Sequence, residues 1–238
     1  MRRFVCVAAA ISLALVFAPS SALQMPAAQT TPEALTAQYK QAMGAQDWPH
    51  AIAAARQLVD HSPTAENLWL LADVQMRGGA MNDALATCDR ALAAADKEKP
   101  AEGQPDTVWK DGKSRIYLTQ GNAYLKLHRN RDAIDAYNRA ADLAANPSIA
   151  YFSLCATLYN TGDTQNSPAA CRKSLQADPS RADAWFLLGS ALFVSAPMDA
   201  KGSVDVTAEA RQALEKYLEL APDGPHAADV KAMLQMAK

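Results

Sequence analysis

The side chains of this chain with the most specific chemistry on offer are its thiols. Of four cysteines, Cys6 lies in an apolar N-terminal run, which leaves Cys88, Cys155 and Cys171. Two thiols held close in an oxidising compartment become a disulfide, whereas buried thiols otherwise act as small apolar residues. The four histidines, His50, His61, His128 and His226, are scattered without H-E-x-x-H or C-x-x-C spacing, and read as solvated residues near helix ends rather than metal ligands. Neither a Gly-rich phosphate loop nor a G-x-S-x-G elbow is present. A Ser-His-Asp site built from distant segments is a matter of geometry that spacing does not address. The expectation is therefore no catalytic residue, no metal and no cofactor. Lys126, His128, Arg129 and Arg131 form a small basic cluster. It would meet an acidic partner or, the favoured reading, line a solvated inter-helix turn with cations near a helix C-terminus. With a formal net charge of −2, this patch does not support nucleic-acid binding.

The N-terminus reads as an address. Arg2 and Arg3 precede an apolar run over residues 4–17, Pro19 breaks the pattern, and Ser20, Ser21 and Ala22 offer small residues for cleavage. The run of 14 residues is shorter than the ~18–20 needed to span a bilayer. Residues 1–22 are thus expected to be a cleaved signal peptide, with a membrane anchor as the less favoured alternative. Residues 23–31 are expected to be a disordered tether. Removing Arg2 and Arg3 moves the formal charge from −2 to −4. The expected location is exported, periplasmic or extracellular, with no stable membrane insertion after signal removal.

The elements that would position these side chains are helices. Ala-rich stretches such as residues 51–55 and 91–95 favour helix, because Ala loses no side-chain entropy there. Pro63, Pro147, Pro179 and Pro222 each close a helical pattern. Ahead of them lie similar segments at a period of about 34 residues. In the clearest, Trp185 is followed by Leu188-Gly189 and Leu192. Residues 148–181 carry Tyr151, Leu154, Leu158, the turn Gly162-Asp163, Leu175 and Pro179. Residues 114–147 carry Tyr117, Gln120-Gly121, Tyr124, Ala133-Ile134, Tyr137 and Ala140. Earlier copies hold Leu71-Ala72, Gly79, Ala84-Leu85 and Ala91-Leu92, and, most weakly, Tyr39, Asp47-Trp48, Ala51-Ile52 and Leu58.

On these residues the chain resembles the tetratricopeptide-repeat (TPR) family over nearly all of residues 32–238. The resemblance implies an all-α fold: a right-handed α-solenoid of about five helix-turn-helix repeats, at 32–65, 66–96, 114–147, 148–181 and 182–224. Residues 97–113 are expected to form a loop, or a loop leading into an extended helix from about Asp106. Residues 195–206 form an insertion with Pro197 and Gly202 as breakers, read as slack connection ahead of a binding loop. Residues 225–238 form a capping helix, as an open solenoid end requires. Small residues such as Gly121, Ala133 and Ala140 let paired helices approach, and Tyr117, Tyr124 and Tyr137 fill the gap to the next repeat. Within this arrangement Cys155 falls on the first helix of its repeat and Cys171 on the second. A turn near Gly162-Asp163 would bring the two to similar height, and export favours a disulfide over two thiols. Cys88 reads as core.

The resemblance also implies a concave groove lined by first helices. Its expected lining is Lys40, Trp69, Asp73, Met76, Arg115, Leu118, Asn122, Leu125, Phe152, Tyr159, Phe186 and Phe193, an apolar and aromatic row suited to an extended or helical peptide. The alternative for any one aromatic is packing on the next repeat or under the cap. A terminal-carboxylate clamp is not expected, since only Lys40, Asn122, Arg115 and Lys126 offer suitable groups. The expected function is a non-catalytic scaffold or adaptor for another polypeptide. The alternatives are a lipid or glycan carrier, or an enzyme with a site in an inserted loop.

Overall fold

The computed structural model of this protein describes residues 31–98, 100 and 106–238. The expected signal peptide and all of the expected tether but Thr31 lie outside them. Residues Pro32–Lys238 form one compact unit. Its helices are α1 (Pro32–Gly44), α2 (Trp48–His61), α3 (Ala65–Arg77), α4 (Met81–Lys97), α5 (Thr107–Lys126), α6 (Asn130–Leu143), α7 (Ser148–Asn160), α8 (Ser167–Ala177), α9 (Ala182–Val194), α10 (Ala208–Leu220) and α11 (Ala227–Met236). Consecutive helices pack in pairs, α1 with α2 through α9 with α10, and each second helix packs on the first helix of the following pair. First helices also touch across pairs, α3 with α5 and α7 with α9. This is an α-solenoid of five hairpins closed by α11.

The hairpins are tight because the residues between paired helices are small. Ala51, Ala55, Ala84, Ala91, Ala133 and Ala140 are all buried on second helices. Within each of the first four hairpins the chain turns through one residue in the left-handed region: Gln46 (φ 55), Gly79 (φ 90), His128 (φ 58) and Gly162 (φ 81). The next residue then closes the first helix with a long-range backbone bond, as when Asp163 N donates to Leu158 O at 2.9 Å and Arg129 N to Tyr124 O at 2.9 Å. Side chains start several helices: Asp47 accepts from His50 N, Thr64 from Asn67 N and Thr207 from Ala210 N.

Two connections are tied down. Glu98 accepts from Ala65 N at 2.8 Å, Trp109 Nε1 donates to Ala95 O at 2.7 Å, and Lys113 pairs with Asp96 at 2.6 Å, so the ends of the α4–α5 connection are held against the stack. The insertion before α10 is not slack. Val204, 1% exposed, donates its N–H to Met236 O and accepts from Lys238 N, while Lys238 Nζ pairs with Asp199. The insertion thereby straps the end of α11 to the last hairpin. Isolated bridges there, Met198 with Val204 and Val204 with Ala237, are the extended pairings among the described residues.

Candidate functional site: the face of the first helices

One register repeats along the first helices. At spacings of three, four and three residues, α3 carries Glu66, Trp69, Asp73 and Met76, and α5 carries Arg115, Leu118, Asn122 and Leu125. In the same register α7 carries Ile149, Phe152, Ala156 and Tyr159, and α9 carries Asp183, Phe186, Ser190 and Phe193. That spacing keeps each set on one helical face, so an apolar row (Trp69, Leu118, Phe152, Phe186) runs from helix to helix.

The rings in this row are held rather than loose. Trp69 is half-buried, and its Nε1 donates to Thr119 Oγ1 at 3.1 Å. The Arg115 guanidinium lies 4.2 Å above its ring and is fixed by Glu66 at 2.5 Å. Phe152 carries Arg181 at 5.3 Å, and Arg181 Nε donates to Ser148 Oγ at 3.1 Å. One face of each ring is thus covered by a cation, an arrangement that contributes about 0.5–1 kcal/mol at exposed sites. Tyr159, Leu118 and Leu125 are half-buried against the core of the third to fifth hairpins. Lys40 is exposed on α1, and Asp73 is tied to Arg77 at 2.8 Å.

Asn122 is oriented from below. Tyr137 reaches from α6 beneath Gly121, and its hydroxyl donates to Asn122 Oδ1 at 2.8 Å. With that oxygen engaged, the Asn122 side chain keeps its amide N–H groups as donors. Burial holds the Tyr137 phenol up at about 12, so it stays a donor at all ordinary pH values.

Three of the expected lining residues need correction. Met76 is 6% exposed and packs with Leu85 and Ala123, because at its register α3 already faces the next hairpin. Phe186 stacks on His226 with centroids 3.9 Å apart and meets the Tyr217 ring at 5.7 Å. Phe193 packs in the same cluster as Val230 and Met233 of α11. The cap, standing where a further first helix would stand, packs against these two half-buried rings. Conversely, Ile149 at 56% and Val194 at 61% exposure are open apolar side chains beside Phe152 and Phe193, and sequence reasoning missed them. The sequence signal for Ile149 is its register, three residues before Phe152 on the same helical face.

The other sequence candidates do not converge. His50 pairs with Asp47, His128 forms the α5–α6 turn and His226 stacks on Phe186. Among the described residues no three of His, Cys, Asp and Glu are placed to hold a metal ion. Arg129 of the basic cluster lies over Tyr124 and pairs with Asp132 at 2.7 Å. Cys155 and Cys171 are bonded, with Cα atoms 5.1 Å apart, and both are fully buried. Cys88 is a buried free thiol, which desolvation pushes up to about 12.

The sequence profile of the tetratricopeptide repeat matches residues 32–99, 118–182 and 158–225, well over half of the chain. This chain belongs to the tetratricopeptide-repeat family. Among solved structures it is similar to MamA, with 22% identity over 83% of this chain and 94% of that one and a TM-score of 0.58. YrrB, described as a TPR protein with an unusual peptide-binding site, is 17% identical over 86% and 94%, with a TM-score of 0.56. PilW, described as a widely conserved type IV pilus biogenesis factor, is 16% identical over 85% and 83%, with a TM-score of 0.64. At these identities the likeness is one of fold. No curated protein matches the chain. TPR architecture supports a protein-interaction scaffold, and among the described residues no helix is long and apolar enough to cross a membrane.

Proposed function

We propose that this TPR protein is an exported, non-catalytic adaptor that holds another polypeptide along the face of α3, α5 and α7. The observation that carries this reading is the register shared by those helices. It sets Trp69, Leu118, Phe152 and Ile149 in an apolar row with an oriented amide, Asn122, beside it. Apolar anchors contribute contact area, and an amide with its oxygen already engaged offers donors to a backbone carbonyl. The peptide-binding site in the name of YrrB is in keeping with this use of the fold. Export rests on Arg2-Arg3, the apolar run and the small residues before Leu23.

A photo-crosslinking residue at Ile149 in the native host tests the reading. It should give a discrete polypeptide adduct that disappears when Phe152→Ala is added, while the same probe at Arg90 on α4 should not. Equal adducts at both positions, or an Ile149 adduct indifferent to Phe152→Ala, would move the site off this face. N-terminal sequencing of the purified native protein should begin at or near Leu23, and an intact Met1 would remove the export reading.

A further inference from the structure

The fourth hairpin is held together differently from its neighbours. Its second helix, α8, is the shortest in the five hairpins at 11 residues. The buried residues of α8 are Ser167, Pro168, Ala170, Cys171, Ser174 and Leu175, of which only Leu175 is a large aliphatic side chain. To that packing α8 adds the Cys155–Cys171 bond, with Cα atoms 5.1 Å apart, and hydrogen bonds from Ser167 and Ser174 to α7.

A line of contacts runs from α8 to the first-helix face. One turn beyond Cys171, Ser174 Oγ donates to Ser148 O at 3.0 Å and lies 3.4 Å from Ser148 Oγ. Ser148 Oγ in turn accepts from Arg181 Nε at 3.1 Å, and Asp178 holds the same guanidinium at 3.4 Å. That guanidinium lies 5.3 Å from the centroid of the Phe152 ring. Ser148 is 1% exposed and Ser174 is fully buried, so neither trades these partners for water while the hairpin is closed. Two thiols cannot occupy the space of a disulfide, because unbonded sulfurs stay at van der Waals separation. In a packed interior the extra room comes from a shift of α8 against α7, and the contact that reads this shift is Ser174 on Ser148.

We infer that the Cys155–Cys171 bond is a redox lock on the polypeptide-holding face. With the bond closed, Arg181 is set over Phe152; with it reduced, α8 loosens from α7 and the face loses its grip on the partner. The functional half of this inference rests on the adaptor reading, whereas the coupling of the bond to the Phe152 ring stands by itself. Reduction takes a dithiol: exchange passes two electrons and two protons to the bridge, which becomes two thiols, and the dithiol becomes a disulfide. Both sulfurs are fully buried, so that exchange needs an opened hairpin. The lock is therefore set when the chain is oxidised on folding, and a chain in a reducing compartment carries it open.

The test reads the ring and the partner separately. A para-fluorophenylalanine in place of Phe152 reports the ring's surroundings by fluorine NMR, with a fluorotryptophan in place of Trp69 as the distant control. The purified protein is reduced with a dithiol reagent in mild denaturant and returned to buffer with the dithiol present. Reduction should shift the Phe152 signal, and in the oxidised protein Arg181→Gln and Ser174→Ala should each shift it too. The Trp69 signal and the helicity should stay unchanged. A Phe152 signal that ignores reduction, ignores Ser174→Ala, or moves only together with that of Trp69 would overturn the lock. Capture is read from the Ile149 photo-crosslink in the host, with Cys155→Ala and Cys171→Ala together standing for the reduced state. The adduct should fall by about fivefold or more, the low end of coupling between two sites. Equal adducts from both forms would overturn the lock and leave the adaptor reading standing. No adduct from the oxidised parent would overturn the adaptor reading instead, with the fluorine signals still deciding the coupling of bond to ring.

Discussion

Cys155 is bonded to Cys171 at the point where, one repeat earlier, Gly121 packs against the ring of Tyr137. The pairs are related by a shift of 34 positions, and one repeat later Gly189 meets Leu214 in the same way. The third, fourth and fifth hairpins therefore each have a crossing point that accepts a small residue on the first helix and a filler on the second. In the fourth hairpin the filler is a covalent bond. Beside it lies Ser167, buried and small, whose hydroxyl donates to Cys155 O at 3.2 Å.

The disulfide replaces packing that the neighbouring hairpin obtains from Tyr137. A non-reducing peptide map of the native protein should show the Cys155 and Cys171 peptides joined. Cys155→Ala with Cys171→Ala should lower unfolding stability by about 2–4 kcal/mol, as expected for a short closed loop. Denaturant unfolding of both forms measures this, and an unlinked map would remove the bond from the native protein.

At the equivalent crossing in the third hairpin, a Cβ on Gly121 would lie 2.5 Å from the Tyr137 ring. The ring is fully buried and cannot swing away without losing its bond to Asn122. Gly121→Ala should therefore cost about 1–3 kcal/mol by overpacking. Gly112, with nothing within 4 Å of such a Cβ, should tolerate alanine. Paired thermal melts decide between a local clash and a general cost of losing glycine.

How far the sequence carries is clearest at these crossings. The 34-residue spacing of Gly121, Cys155 and Gly189 is visible in the chain itself, and it is enough to pair the helices. The turns were only half legible. Gly162 announces a left-handed residue, but Gln46 and His128 adopt the same conformation with side chains that do not advertise it. The groove was least legible, because register places a residue on a face without saying what covers it. Phe152 and Phe186 occupy equivalent positions, yet one borders Arg181 and the other lies under His226. Only the three-dimensional position of the cap separates them.

Those two turn residues carry a stability prediction. An L-residue in the left-handed region is strained by roughly 1 kcal/mol relative to glycine. Gln46→Gly and His128→Gly should each raise unfolding stability by about 0.5–1 kcal/mol, since both side chains are exposed. Gly79→Ala, at φ 90, should do the reverse. Chemical denaturation of the three single variants checks the signs together.

Cys88 provides a pH dependence. Its thiol is raised from 9.0 to about 12 by burial, so the folded state keeps a proton that the unfolded chain releases. The corresponding stability is fully present below about pH 9 and is lost as pH rises from there towards 12, at about 1.4 kcal/mol per pH unit for one proton. Unfolding measured from pH 8 to 11 should show this decline, and Cys88→Ala should reduce its slope. Native protein should also resist alkylation at Cys88 until it is unfolded. Rapid labelling of folded protein at pH 8 would contradict the burial.

The first-helix face predicts a division between binding and stability. Phe152 and Trp69 are half-buried, each with a guanidinium over the ring, so alanine at either removes a contact surface and frees Arg181 or Arg115. Partner capture should weaken markedly, because truncating an aromatic anchor typically costs ~2 kcal/mol or more. Some stability should go as well at Trp69, whose indole N–H is bonded to Thr119. Phe186, at the equivalent position on α9, gives the control. Its ring lies against His226 and Tyr217 under the cap, so Phe186→Ala should lower the melting temperature by loosening α11 and leave partner capture intact below that temperature. Tyr137→Ala should be the most damaging, by roughly 3 kcal/mol or more for a fully buried ring. If Phe152→Ala and Trp69→Ala lower stability as Phe186→Ala does but leave capture unchanged, these rings are core in every hairpin. The polypeptide would then be held elsewhere on the solenoid.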